Sequence, residues 1–356
     1  MNPTTDIPWQ LLFQKAQQVT RAILWLADES FPQQQPAISN FHQHRVITNR
    51  YDVYANLKQH IAVAFSDFKH SDFTAADNTV IYYRVSKEKA LTHYLINQAY
   101  QHLPLGGELH LAGYKGDGIK TYSDKAKKLF GETLDYENGA NTAKYLSLKK
   151  TTTGNPLLDD KHYNSIQEID AINGIPVQSK PGVFGWNKKD PGSQFLIACL
   201  GEFLAQVKHP IHKVLDLGCG YGYIALHAAN HERLQAATFT LTDNNAAAIE
   251  CAQLNINHHG LNASVIADDC GSTIVERFDI ILCNPPFHKG FDVNNDITSH
   301  FLANLKRLLS GNGKALVVVN QFVGIEKRAA QHFKWVNELA RNKSFKLIVL
   351  SGPKTS

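Results

Sequence analysis

The run Val214-Leu-Asp-Leu-Gly-Cys-Gly-Tyr-Gly222 constrains the fold more than any other stretch of the chain. Lys213 to Leu217 is a short apolar strand, and Tyr223 to Asn230 has helical spacing, so the glycines form a strand-to-helix turn. Gly218 and Gly220 let the backbone approach a ligand where a Cβ would clash. The helix N-terminus beyond them offers unpaired N–H groups. Such a turn belongs to a parallel sheet, and the chain around it alternates accordingly. Thr238 to Thr242, Ser264 to Ala267, Phe278 to Leu282 and Ala315 to Val319 read as buried strands. Ala246 to His258 and Ile297 to Leu309 read as helices between them. The fold class is therefore α/β, a doubly wound sheet covered on both faces. Trp335 to Leu339 and Phe345 to Leu350 are separated only by Ala340 to Ser344, too little chain for a crossover helix, so they predict a final antiparallel hairpin.

At 356 residues the chain exceeds one comfortable core and predicts two domains, 1–170 and 171–356. Thr151 to Pro156 is turn chemistry, and Ile172 to Pro176 with Lys180 to Gly185 suggests a short hairpin leading into the second domain. The first domain echoes the second: His93-Tyr-Leu-Ile-Asn97 followed by Leu105 to Leu111 parallels His300-Phe-Leu-Ala-Asn304 followed by Ser310 to Leu316. Both are a helix, a glycine-containing turn and an apolar strand, as an internal duplication would leave them. No Asp-x-Gly-x-Gly turn lies between residues 30 and 150, so the first copy is expected to lack the ligand-binding turn. Gly113 to Lys120 comes nearest, and reads as a basic loop or a plain surface turn.

Apolar residues make up 43% and charged residues 19%, which excludes a disordered chain. No window approaches 18 uninterrupted apolar residues, so no membrane span is expected. The stretch from Thr4 to Asp28 reads as an amphipathic helix and not a signal peptide, which points to the cytoplasm. The five cysteines form no CxxC pair and no zinc spacing, so they are expected as reduced thiols, with no metal. Residues 1–170 hold 18 basic and 18 acidic residues, while residues 171–356 hold 18 and 14. From Lys306 onward ten basic residues face only Glu326 and Glu338, an excess suited to phosphate backbones.

Two further motifs carry chemistry. Asp243 ends the second strand, 27 positions after Asp216, where a carboxylate can accept from both hydroxyls of a ribose. Glycines and acid together still admit a nicotinamide dinucleotide. Asp216 suits an ammonium group, Asn244 neighbours the ribose acid, and of Asp268-Asp269 the second is placed to accept from an adenine amino group. The other motif is Asn284-Pro-Pro-Phe287, after the fourth strand. The prolines remove two backbone donors. What remains is acceptor-rich: the Asn284 side-chain oxygen and the Pro285 carbonyl, a match for the two hydrogens of a planar –NH2 group. Holding both hydrogens turns the nitrogen lone pair toward an electrophile, so orientation does most of the catalysis. Phe287 offers an aromatic face to a base rotated out of its stack, and His288 reads either as bordering that base or as a rim histidine with no fixed role. Cys219 and Cys283 read as small apolar residues rather than nucleophiles for ring-carbon attack.

The turn Asp216-Leu-Gly-Cys-Gly220, the acid Asp243 and Asn284-Pro-Pro-Phe-His288 resemble the class I S-adenosylmethionine-dependent methyltransferases that modify ribosomal RNA guanines at N2. Pro181-Gly-Val-Phe184 and Asp190-Pro-Gly-Ser-Gln194 resemble a segment of the small-subunit branch, the ribosomal RNA small subunit methyltransferase C type. The resemblance spans essentially the whole chain and is strongest over 181–320. It implies two tandem Rossmann-like methyltransferase domains, with only the C-terminal one binding S-adenosylmethionine. By the same resemblance, cofactor contacts fall on Asp216, Gly218, Gly220, Asp243 and Asp269, and target-amine contacts on Asn284, Pro285 and Phe287; Asn244, beside the ribose acid, is a further candidate cofactor contact. Asp269 departs from the Asn expected in relatives. The resemblance further implies a 16S rRNA substrate on the assembled 30S subunit, a monomeric enzyme, and an N-terminal domain that aids folding and grips RNA. Rival readings are guanine-N2 methylation of 23S rRNA, glutamine-N5 methylation of a protein, adenine-N6 methylation of DNA, and a non-catalytic RNA-binding or assembly factor.

Overall fold

The chain divides into two units, Met1–Ser165 and Ile166–Ser356. The computed structural model describes residues 6–28, 31–32, 44–73, 80–285 and 295–354, with side chains from 299 onward in the last of these.

In the first unit α1 (Ile7–Ala16) precedes β1 (Leu24–Ala27), β2 (Arg45–Thr48), α2 (Tyr51–Leu57), β3 (Ala62–Phe65) and β4 (Val80–Arg84). Then follow α3 (Lys89–His102), β5 (Glu108–Tyr114), α4 (Ile119–Phe130), β6 (Gly131–Asn138) and β7 (Ala143–Lys150). The strands form one sheet in the order β3-β2-β1-β4-β5-β7-β6, parallel except for β7, which runs against both neighbours. The expected helix from Thr4 to Asp28 stops at Ala16. Asp6 caps it by accepting from the Trp9 N–H at 3.0 Å. Leu24 to Ala27 are fully buried in the middle of the sheet, where a continuous apolar run packs both faces and becomes a strand.

The second unit begins with the hairpin of β8 (Gln167–Ile172) and β9 (Ile175–Ser179). Asn173 and Gly174 both have positive φ, so the turn is the tight two-residue kind that Asn-Gly favours. The hairpin therefore lies earlier than expected, and Lys180 to Gly185 is the turn that follows it. Next come α5 (Pro191–Ala198), α6 (Leu200–Ala205), β10 (Lys213–Leu217), α7 (Tyr223–Ala228), β11 (Thr238–Asp243), α8 (Ala246–His258) and β12 (Ala263–Ala267). The unit closes with β13 (Phe278–Cys283), α9 (Asn295–Leu308), β14 (Leu309–Asn320), α10 (Glu326–His332), β15 (Phe333–Arg341) and β16 (Phe345–Pro353). The order β12-β11-β10-β13-β14-β16-β15 repeats that of the first unit strand for strand. Helices cover both faces: α5 to α8 lie over one core cluster, α9 and α10 over the other. The antiparallel hairpin is β15–β16, with β16 inserted between β14 and β15.

The echo falls at the same place in both sheets, since α3 and α9 each lead into the fifth strand. Register extends the match. Leu26 pairs with Tyr83 as Leu217 pairs with Cys283, and Thr48 with Phe65 as Asp243 with Ala267. Arg84 thus occupies in the first sheet the place of Asn284, and Asp67 the place of Asp269. Arg84 is buried between Asp6 and Asp117, 3.0 and 2.9 Å away. Asp117 also accepts from the Tyr114 N–H, so Gly113 to Lys120 is a fixed β-to-α turn and not a loose loop.

The turn-rich stretch after β7 is no free linker. Leu158 exchanges two hydrogen bonds of 2.9 Å with the Asn97 side chain, and the Asp159 carbonyl meets His93 Nδ1 at 2.6 Å. Farther on, Tyr163 is fully buried and donates to Asp67 at 2.8 Å. The stretch is a strap held on α3, and Tyr163 ties it to the acid that follows β3. On the other side of the division, Asn255 of α8 joins β9 to the second unit. Its Nδ2 donates to the Gln178 carbonyl and its Oδ1 accepts from the Gln178 N–H, both at 2.8 Å. The units consequently part at Ser165 and Ile166, ahead of the expected 170/171.

Candidate active site

Three strand ends build the site. At the first, Asp216 is fully buried in β10. Its Oδ2 accepts from the Ala225 N–H at 3.0 Å, tying the strand to the first turn of α7. Oδ1 is also buried and, among the described residues, has no hydrogen-bond partner. Burial pushes the carboxyl up to about 7, and nearby Asp243 adds to the rise. A buried carboxylate oxygen with no donor is costly unless a donor or cation arrives, which fits the ammonium of a methionine moiety. The turn itself has Gly218 at φ 77°, with nothing within 4 Å of where a Cβ would stand. Its backbone is left-handed, and the space beside it is open.

At the second strand end the half-buried Asp243 braces the glycine turn. Oδ2 accepts from the Gly220 N–H and Oδ1 from the Asn245 N–H, both at 2.9 Å, while the N–H groups of Gly218 and Cys219 donate to the Thr242 carbonyl. Ribose hydroxyls would be further donors to a carboxylate of this kind. Asn244 is half-buried beside it. Asn245 caps α8 and sends Nδ2 to the Gly182 carbonyl at 3.2 Å, which pins the Pro181 to Phe184 turn alongside. The two acids after β12 separate cleanly. Asp268 is buried and accepts from Ser272 Oγ, from the Thr273 N–H and from Thr273 Oγ1, so it builds its own turn. Asp269 remains half-buried.

The third strand end carries Asn284 and Pro285, the first half-buried, the second buried. Asn284 Nδ2 donates to Asp190 Oδ2 at 2.6 Å and to Ser193 Oγ at 2.8 Å. Both amide hydrogens are taken, and the side-chain oxygen is the end left to act on a ligand. Phe287 and His288, like Pro286, lie outside the described residues. Cys283 Sγ donates to the Leu217 carbonyl at 2.9 Å, and burial raises both its thiol and that of Cys219 well above the usual range. Protonated, sequestered thiols do not attack a ring carbon.

Asp190 and Ser193, quoted in the sequence only as part of a family-like segment, had been given no place in the site. The signal was present: Asp, then Pro, then Ser three residues on is a helix-start signature. Asp190 does cap α5, accepting from the Ser193 N–H at 2.7 Å. The basic excess after Lys306 is partly internal. Arg307 donates to the carbonyls of Gly271 and Ile274, and Lys346 is buried against Glu326. Among the described residues no group of three or more His, Cys, Asp or Glu could hold a metal, and no helix is long and apolar enough to cross a membrane.

Residues 174–349 match the family described as methyltransferase small domain, and residues 10–151 match methyltransferase small domain N-terminal. A ribosomal RNA small subunit methyltransferase C of Shewanella pealeana is 30% identical, over 76% of each chain. One of Pasteurella multocida is 28% identical over 91% of this chain and 92% of its own. Among solved structures, a T. thermophilus 16S rRNA N2 G1207 methyltransferase in complex with AdoMet and guanosine has a TM-score of 0.84 at 23% identity. That match covers 98% of this chain and 93% of the other, and it is a likeness of fold.

Proposed function

We propose, because the chain belongs to the ribosomal RNA small subunit methyltransferase C family, that it transfers a methyl group from S-adenosylmethionine to the exocyclic N2 of a guanine in 16S rRNA. The observation that carries this reading is the Asn284 amide, held with both hydrogens on Asp190 and Ser193 and its oxygen left for a donor. With the Pro285 carbonyl as a second acceptor, it suits an –NH2 group.

The proposed division of labour follows from the three strand ends. Asp216 Oδ1 takes the ammonium of the bound cofactor, Asp243 and Asn244 the ribose, and Asp269 the adenine amino group. The open face of Gly218 and Gly220 lets the methionine moiety lie against the backbone. S-adenosylmethionine supplies a methyl group made electrophilic by its sulfonium sulfur. Asn284 and Pro285 hold both amine hydrogens of the target, and the nitrogen lone pair is thereby aimed at that methyl group. Phe287 stacks on the rotated base. The proton lost from nitrogen passes to water, and no strong base is required.

The finer reading is a monomeric cytoplasmic enzyme acting on the assembled 30S subunit, with the first unit gripping RNA. The strap over the first sheet, Tyr163 on Asp67 and Arg84 in the place of Asn284 support a first unit that takes no cofactor.

Mass mapping of methylated nucleotides in 16S and 23S RNA tests the proposal, with and without the gene. One missing N2-methylguanine in 16S RNA, restored by the gene, is expected. A loss confined to 23S RNA, or methyl transfer to a protein glutamine alone, overturns it.

A further inference from the structure

We propose that Asp190 is a positioning residue for methyl transfer, whose carboxylate fixes which end of the Asn284 amide meets the target; the inference rests on the amine-methylating reading above. A side-chain amide can present either an acceptor oxygen or two donor hydrogens, and the two ends have nearly the same shape. Only the oxygen end can hold an –NH2 group. The NH2 end would hold a carbonyl, such as a base oxygen, and would repel an amine.

The structure decides between them through charge. Asp190 Oδ2 lies 2.6 Å from Asn284 Nδ2. A carboxylate has no hydrogen to give, so an inverted Asn284 would set oxygen against oxygen at that distance. Ser193 Oγ, 2.8 Å from the same nitrogen, takes the second hydrogen. Asp190 is itself immobilised, since Oδ2 also accepts the Ser193 N–H at 2.7 Å as the cap of α5. The turn is closely packed: a Cβ on Gly192 would come within 3.1 Å of Asp190 Oδ2, 3.3 Å of the Phe345 ring and 3.4 Å of Asn284 Nδ2. Asp190, Gly192 and Ser193 thus form a clamp on the nitrogen end of the Asn284 side chain. The clamp makes the site a reader of amines as opposed to carbonyls, a selection that Asn284 alone does not impose.

Two variants separate positioning from folding. Asp190→Ser keeps a good helix cap but is too short to reach Asn284. Asp190→Asn keeps the cap and can turn its own oxygen toward the Asn284 N–H. On 30S subunits, Asp190→Ser is expected to lower kcat roughly 10²-fold with the KM for S-adenosylmethionine within about two-fold, and Asp190→Asn to recover most of that loss. Equal kcat for Asp190→Ser and wild type overturns the proposal, and so does a loss confined to the cofactor KM. A second readout needs no substrate. The Asn284 side-chain amide protons, followed by NMR in the full chain, should exchange slowly with water in wild type and rapidly in Asp190→Ser. Fast exchange in wild type overturns the clamp. Slow exchange with no methyl transfer to either ribosomal subunit upholds the clamp and removes the RNA reading instead.

Discussion

The Tyr163 hydroxyl donates to Asp67 at 2.8 Å, at the place in the first sheet that Asp269 holds in the second. A phenol from the same chain donates to this acid, at the place where the proposed function gives Asp269 an adenine. Tyr163→Phe removes the donor and leaves the ring in place. Asp67 is buried, so the first unit should lose about 1–3 kcal/mol, read as an earlier denaturant transition. The kcat for methyl transfer should stay within a factor of about two. An unchanged transition would refute the role given to this pair.

The cofactor contact proposed for Asp216 predicts that binding depends on pH. With its carboxyl near 7, the group is largely protonated below neutrality and ionised above it. An ammonium partner requires the ionised form. Affinity for S-adenosylmethionine should therefore rise with pH up to about 7 and weaken below it, by up to about tenfold per pH unit. The stability of the free protein runs the other way. A carboxyl raised above its unfolded value binds more protons when folded, so stability falls as pH climbs from about 4 toward 7. Titration calorimetry across that range checks both slopes, and Asp216→Asn should flatten them.

Asn255 is fully buried, and besides its two bonds to Gln178 it donates to the Tyr221 carbonyl at 2.8 Å. One side chain therefore ties the entry hairpin to the glycine turn. Asn255→Ala strands one buried and two half-buried backbone groups and should cost about 2–4 kcal/mol. Because Tyr221 lies between Gly220 and Gly222, cofactor affinity should fall as well, measurable in the same calorimeter at low temperature where the variant stays folded.

Asn284→Ala should abolish methylation while leaving binding to the ribosomal subunit within a few-fold, since the amide acts on one nitrogen and contributes little to a large interface. Filter binding beside a methyl-transfer assay compares the two. Methylation that survives in the variant removes the central role of Asn284.

What was legible in the sequence was what local chemistry dictates. The helix Ala246–His258 was read from its place between two apolar strands, and β10 from an apolar run that stops at glycine. The strand ends bearing Asp216, Asp243 and Asn284 followed from that alternation, because adjacent parallel strands deliver their C-terminal ends to one edge. Tertiary partners were not legible. Nothing near Asp190 says that its second lone pair will meet a residue 94 positions on. Nor does Thr151 to Pro156 reveal that His93 and Asn97 will bind the chain beyond it. The N-terminal strand was hidden for another reason: once both faces of a strand are buried, its apolar run has no period-two pattern, and it reads like part of the helix before it.

The place of β16 has a consequence for synthesis. It follows β15 in the chain yet lies inside it in the sheet, hydrogen-bonded to β14 on one side and β15 on the other. Phe345, its first residue, packs beside the Asn284 clamp. A nascent chain that still holds β16 in the ribosomal tunnel has an open sheet and an unfinished site, however well its first unit has already folded.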